Sequence, residues 1–251
     1  MTMTAVNVRD IERLEHDEAM DLADAEFALL LAEIDQLRET DWARPTDCAG
    51  WDVQAMLGHL LGMLELQADP EDRMRQITTA AQEAAQTGGL RLDAMTALQV
   101  REHAHLTPTE LRAALHEAAP RGLAARRSMP AEVRAAPYDP QLPGASGWTL
   151  GFLCDVIHNR DPWLHRVDLS RATSQPLVLT AGHDGRIVAD VVAEWARTHE
   201  QPFELLLAGP AGGRYLAGSG GDALELDAVE FCRTLSGRVP GTGLLTTRVV
   251  F

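Results

Sequence analysis

Cysteine is scarce in this chain, and the few present build no framework. Cys48, Cys154 and Cys232 are odd in number, stand far apart and include no C-x-x-C pair. This argues against a disulfide scaffold and a cysteine-type zinc knuckle, and the expected compartment is a reducing one, the cytoplasm. Basic runs are also missing: 22 Lys and Arg stand against 37 Asp and Glu, a formal net charge of -15. Such a surface repels phosphate backbones, so neither nucleic acid nor an anionic membrane is an expected partner. No apolar stretch approaches the roughly 18–20 residues that span a bilayer. Residues 1–10 lack the apolar run and small-residue cleavage site of a signal peptide. G-x-S-x-G is absent, and no Cys/His pairing is suggested. The glycine-rich stretch 209–213 lies between expected strands rather than at a helix N-terminus, so a phosphate-binding loop is not expected.

What is present suits an ordinary globular protein. The chain has 251 residues, 45% of them hydrophobic and 24% charged, enough for one large domain or two modest ones. Its first two-thirds read as helices. Apolar residues recur at helical spacing over residues 11–37 and again over 52–66, where Val53, Met56, Leu57, Leu60, Leu61 and Leu64 form a stripe. Asp52 is the expected N-cap of that second helix, with Trp51 packing on Met56 as a staple. Residues 69–89 are rich in Ala and Gln and carry only a weak stripe. A third bundle helix is expected over 109–127 and a fourth over 149–169, joined by a long Pro-rich connection, 130–147. Past Arg171 the texture changes. Residues 177–180, 203–208 and 244–251 read as strands. An amphipathic helix is expected over 185–198, and a short helix from Asp227 to Gly237. Glycine-rich turns at 209–213 and 218–221 flank a further strand. The expected division is a helical domain of residues 1–172 and an α+β domain of residues 173–251.

The segment from Asp155 to Leu169 holds the residues best suited to chemistry. On a helix each residue turns about 100°, so with His158 at zero, His165 falls near about 340°, Asp161 near about 300° and Asp155 near about 60°. Two imidazoles and two carboxylates then share a face, and Asp161 and His165 are one turn apart. A carboxylate and an imidazole so placed can hold one cation, as bundle-core metal sites do. Two ligands rarely suffice for zinc. His59 is the candidate third, set in the second helix between Met56 and Met63 and flanked by Gly58 and Gly62. A set of two His and one carboxylate leaves a coordination position open, the pattern of a catalytic site. Other readings stand beside this one. His59 could be a hydrogen-bonded core histidine. Asp161 could be the N-cap of a new helical segment starting at Pro162, or Pro162 could kink a continuous helix and free the carbonyl of His158. His103 and His105 are two apart and read as surface residues, and Arg233 and Arg238 flank a turn near the end of the chain.

Three stretches carry a resemblance to a known family. Gly50-Trp51-Asp52-Val53 with Gly58-His59-Leu60, the run from Arg160 to Leu169, and the run from Ala228 to Arg238 with the ending 243–251 are similar to the mycothiol-dependent maleylpyruvate isomerase family. The resemblance implies a DinB-like, up-down-down-up four-helix bundle followed by a small C-terminal α+β domain. It implies a zinc ion, or another divalent metal, on His59, Asp161 and His165. It further implies mycothiol as thiol cosubstrate, with its sulfur at the open metal position, and attack of the thiolate on a small electrophile in an isomerase or S-transferase reaction. Arg238 is the candidate for holding an anionic part of substrate or cofactor, because the resemblance reaches it and guanidinium geometry suits carboxylates. Two departures bear on substrate: the acidic ligand of the named isomerase is Glu, here Asp161, and Pro162 follows it directly. The rival class is a non-catalytic sensor of metal, thiol or small ligand. Either form is expected to be a monomer or homodimer.

Overall fold

The computed structural model describes residues 4–142 and 145–251. Residues 1–3, part of the N-terminal reading, and Pro143 and Gly144 of the long connection lie outside the described residues. The chain divides into two compact units. One is His16–Gln175; the other joins the segment up to Glu15 to Pro176–Phe251. The first strand, β1 (Ala5–Asn7), therefore groups with the C-terminal residues and not with the bundle.

The bundle unit opens with α1 (His16–Asp35) and α2 (Val53–Ala68). The stripe of α2 packs with Phe27, Leu30 and Ile34 of α1 in one buried cluster. Asp52 caps α2 as expected, its Oδ1 accepting the Ala55 N–H at 2.8 Å. Two helices follow that apolar periodicity marks weakly: α3 (Pro70–Thr87) and α4 (Arg91–His103). Next comes α5 (Pro108–Arg127), opened by a reciprocal capping box between Thr107 and Glu110, with Pro108 at the first helical position. Its Leu111, Leu115, Ala118 and Ala119 complete the core shared with α2. The described part of the long connection holds a short helix, α6 (Ala131–Arg134), and a two-stranded ribbon, β2 (Pro137–Tyr138) with β3 (Trp148–Thr149).

The fourth bundle helix is interrupted. A turn of α7 (Leu150–Phe152) passes into a π-helical segment, Leu153–Ile157, and then into α8 (His158–Thr173). Pro162 lies inside α8 and has no N–H to offer the His158 carbonyl. Arg126 of α5 meets that need: its Nη1 donates to the His158 carbonyl at 3.3 Å, and its Nη2 donates to the carbonyl of Cys154. The π segment also shifts the helical phase. Asp155, expected on the face of Asp161 and His165, instead turns to His16, 2.9 Å away, and Arg134, 3.7 Å away. A fully buried ion pair, Glu26 with Arg166 at 2.6 Å, ties α1 to α8.

The second unit is a four-stranded mixed sheet with two helices. After α9 (Asp184–His199) come β4 (Phe203–Ala208), β5 (Gly213–Ala217), β6 (Asp222–Asp227) and α10 (Ala228–Ser236), in strand order β1-β5-β4-β6. β4 and β5 form the hairpin, while β1 joins β5 and β6 joins β4 in parallel. Trp195 of α9 packs on Phe203 and Phe231, ring centroids 4.7 and 5.3 Å away. Two expected strands are absent. Residues 177–180 are irregular, with Val178 63% exposed. Residues 244–251 begin in a 3₁₀ turn, Gly243–Thr246, and continue without strand pairing. The overall class is as expected, a helical bundle with a small C-terminal α+β unit.

Candidate metal centre

Asp52 starts α2 so that His59 falls two turns in, on the side facing α8. Asp161 and His165 are four positions apart on α8, which stacks their side chains one turn apart. The structure brings the three together. His59 Nε2 lies 3.5 Å from Asp161 Oδ2, and His165 Nε2 lies 3.3 Å from Asp161 Oδ1. The two imidazole centroids are 5.3 Å apart with planes at 76°. One ligand atom from each residue falls within 4.8 Å of the others. Bonds of about 2.0–2.2 Å to a tetrahedral ion place ligand atoms about 3.3–3.6 Å apart, the distance at which each histidine meets its own oxygen of Asp161. Asp161 Oδ2 is buried without a hydrogen-bond partner. A buried carboxylate oxygen in that state is costly unless a cation or proton meets it.

The rear nitrogens of both imidazoles are engaged. His165 Nδ1 faces Asp168 Oδ2 at 3.2 Å, with Asp168 fully buried. His59 Nδ1 faces Gln99 Oε1 at 2.7 Å. Both Nε2 atoms are thus left toward Asp161, the arrangement in which an outer acceptor fixes the tautomer of a ligating histidine. Burial opposes charge on His165, yet Asp161 beside it, with hydrogen bonds to Asp161, Asp168 and Cys48, holds its pKa well above the usual histidine value. Burial likewise opposes ionisation of Asp161, and the two imidazoles outweigh it, holding the carboxyl well below its usual range. Trp51 packs against the buried cluster that holds Met56, and its ring also lies 5.3 Å from that of His59 and 6.3 Å from that of His165. Trp51 also lines a depression of about 340 Å³ with Ala43, Pro45, Thr46, Gly50, Asp52 and Ala55.

Other expectations need correction. A Cys/His pairing exists: Cys48 Sγ is 3.7 Å from His165 Nδ1 and 3.4 Å from Asp168 Oδ2. Their separation of more than a hundred residues left no local signal. His103 is not a surface residue but is buried, bonded to the Gln99 carbonyl at 2.7 Å and to Glu65 at 3.0 Å. His105 is exposed as expected. His158 stands outside the group of three. Its Nδ1 accepts from Gln67 Nε2 at 3.1 Å, and burial, aided by Arg126, pushes its pKa down to about 3, so it is neutral. Arg238 lies in the other unit, just past the left-handed Gly237 that ends α10, and its N–H donates to the Arg233 carbonyl at 3.0 Å.

The structure is thus a helical bundle that gathers two histidines and a carboxylate from two of its helices, followed by a small α+β unit. The chain belongs to the family of the mycothiol maleylpyruvate isomerase N-terminal domain, whose model matches residues 21–170. Among solved structures it is similar in fold to the mycothiol-dependent maleylpyruvate isomerase, with 17% identity and a TM-score of 0.59 over 93% of this chain and 92% of that one. A histidine-to-alanine mutant of that enzyme matches over the same shares, with 16% identity and a TM-score of 0.57. The comparison with curated proteins gave no match. No described helix is long and apolar enough to cross a membrane.

Proposed function

We propose that this chain is a metal-dependent enzyme that activates a low-molecular-weight thiol, mycothiol or a close relative, for addition to or transfer onto a small electrophile. The observation that carries the reading is the convergence of His59, Asp161 and His165, with His59 Nε2 facing Asp161 Oδ2, His165 Nε2 facing Asp161 Oδ1, and one ligand atom of each residue within 4.8 Å of the others. Zinc or another divalent ion held there would supply a Lewis acid that favours the thiolate form of a thiol whose ordinary pKa is near about 8.5. The residues' own tasks follow from their contacts. Asp161 brings the negative charge that a cation requires. Asp168 and Gln99 hold the imidazole rings by their Nδ1 atoms. Trp51 walls the rings and edges the depression beside them, the proposed path for the thiol. Asp161 is one methylene shorter than the Glu of the family's named isomerase, so the electrophile need not be maleylpyruvate. Arg238 is proposed to hold an anionic part of substrate or cofactor.

The test has two arms. Protein expressed without added metal is analysed for metal content, beside His59→Ala and His165→Ala. It is then incubated with mycothiol and a bimane electrophile. Near-stoichiometric metal in the parent, loss in both variants, and conjugation above the uncatalysed rate support the enzyme. Metal with stoichiometric thiol binding and no turnover points to a sensor. A parent that takes up no zinc even when it is supplied sinks the metal reading.

A further inference from the structure

Behind His59 a line of polar side chains crosses the packing of α2, α3 and α4. Gln76 Nε2 lies 3.0 Å from the Gly62 carbonyl and 2.6 Å from Asp72 Oδ2. A carbonyl oxygen can only accept, so this end of Gln76 is its NH2 group. Its Oε1 then faces Gln99 Nε2 at 2.9 Å, which fixes the Gln99 amide as well. Gln99 Oε1 is left 2.7 Å from His59 Nδ1. That oxygen also only accepts, so Nδ1 carries a proton, and in the neutral ring the lone pair is on Nε2. The tautomer of His59 is thereby set by a main-chain carbonyl on its own helix, read through two amides.

We infer that Gln76 and Gln99 form a polarised relay that locks His59 with its Nε2 lone pair presented to the metal site, which makes them positioning residues. The inference rests on the reading of His59 as a ligand. Gln76 is 0% and Gln99 3% exposed, so water does not compete for these bonds. Two amides so deeply buried are costlier than apolar side chains of similar size unless fully bonded, and here their bonding runs to a candidate ligand. The far end of the relay is anchored. Arg75 pairs Asp72 at 2.6 Å and reaches Glu102 of α4 at 2.5 Å, clamping α3 to α4. The near end depends on Gly62, where a Cβ would come within 2.6 Å of Gln99 Cγ. His165 is held by a carboxylate, Asp168, whereas the relay orients His59 without adding charge.

The experiment pairs nitrogen NMR of the histidine rings in metal-free protein at alkaline pH with zinc affinity measured against a chromophoric chelator. In the parent, His59 should be protonated on Nδ1. Gln99→Leu should give mixed tautomers and zinc binding weaker by about 10–100-fold. Gln99→Glu keeps an acceptor facing Nδ1 and should retain the parent tautomer. Gln76→Leu, one side chain further back, should show the same changes to a smaller extent and serves if Gln99→Leu does not fold. A parent His59 protonated on Nε2, or a Gln99→Leu protein with parental tautomer and parental zinc affinity, overturns the relay. A parent with the Nδ1 proton that binds no zinc keeps the relay and removes the metal.

Discussion

Arg126 is a buried cation that donates to two carbonyl oxygens. Burial pulls its pKa down to about 10, so it remains protonated at neutral pH. Its donors meet the carbonyls of Cys154 and His158, which the π segment and Pro162 leave without ordinary helical partners. Arg126→Met should destabilise the chain by about 1–3 kcal/mol for each orphaned carbonyl, measured by urea unfolding. Parental stability in that variant would mean that the carbonyls find other donors. Asp41 also shifts downward, but for a carboxyl group a downward shift favours the charged form. It is buried, and the hydrogen bond from Arg38, with Arg44 adding to it, lowers its pKa from 3.8 to about 2. Its folded value lies below its unfolded one, so its stabilisation is fully present above about pH 4 and is lost as pH falls toward 2. Asp41→Asn should therefore melt below the parent at neutral pH, and the gap should close across that acid window. A gap independent of pH would show that charge is not what Asp41 contributes.

Among the elements, α2, α5 and α9 are legible because their buried faces are apolar at helical spacing, and the starts of α2 and α5 carry caps. α4 is not, because the face it buries is Leu98, Gln99 and His103. Two of those three are polar, and periodicity scoring reads them as surface. β6 hides for a related reason: in Asp-Ala-Leu-Glu-Leu-Asp the apolar positions are few and the ends are acidic. Residues 244–251 mislead the other way, apolar without a pairing neighbour. Of the candidate site, Asp161 and His165 are legible from their spacing of four. Asp155 is misplaced because a π segment breaks the uniform 100° turn, and Cys48 and Gln99 are invisible because only the tertiary fold brings them near. The glycines of α2 carry a prediction at this scale. A Cβ at Gly62 would lie 2.6–2.7 Å from the Gln99 side chain, whereas one at Gly58 would lie 3.2 Å from His103. Gly62→Ala should cost about 1–3 kcal/mol of stability through overpacking and weaken zinc binding as Gln99 is displaced. Gly58→Ala should do less of both. The reverse order, read by urea unfolding and zinc competition, would detach Gln99 from the site.

For the whole molecule, the two units respond differently to an ion. His59, Asp161 and His165 all belong to His16–Gln175, so an ion bound by them adds stability to that unit. The gain is RT ln(1 + [L]/Kd), about 4 kcal/mol at a thousandfold excess of free zinc over Kd. For a unit of this size each kcal/mol moves Tm by about 2–4 °C, which predicts a shift on the order of 10 °C in the calorimetric transition of the bundle. A net charge of -15 also draws cations to the surface without any site, so a shift in the parent alone would be ambiguous. His165→Ala separates the two effects, because it removes one imidazole and leaves the acidic surface unchanged. Zinc should raise the bundle transition of the parent, a chelator should reverse the rise, and His165→Ala should respond to neither. Equal shifts in parent and variant would assign the effect to surface charge and leave the three side chains without an ion.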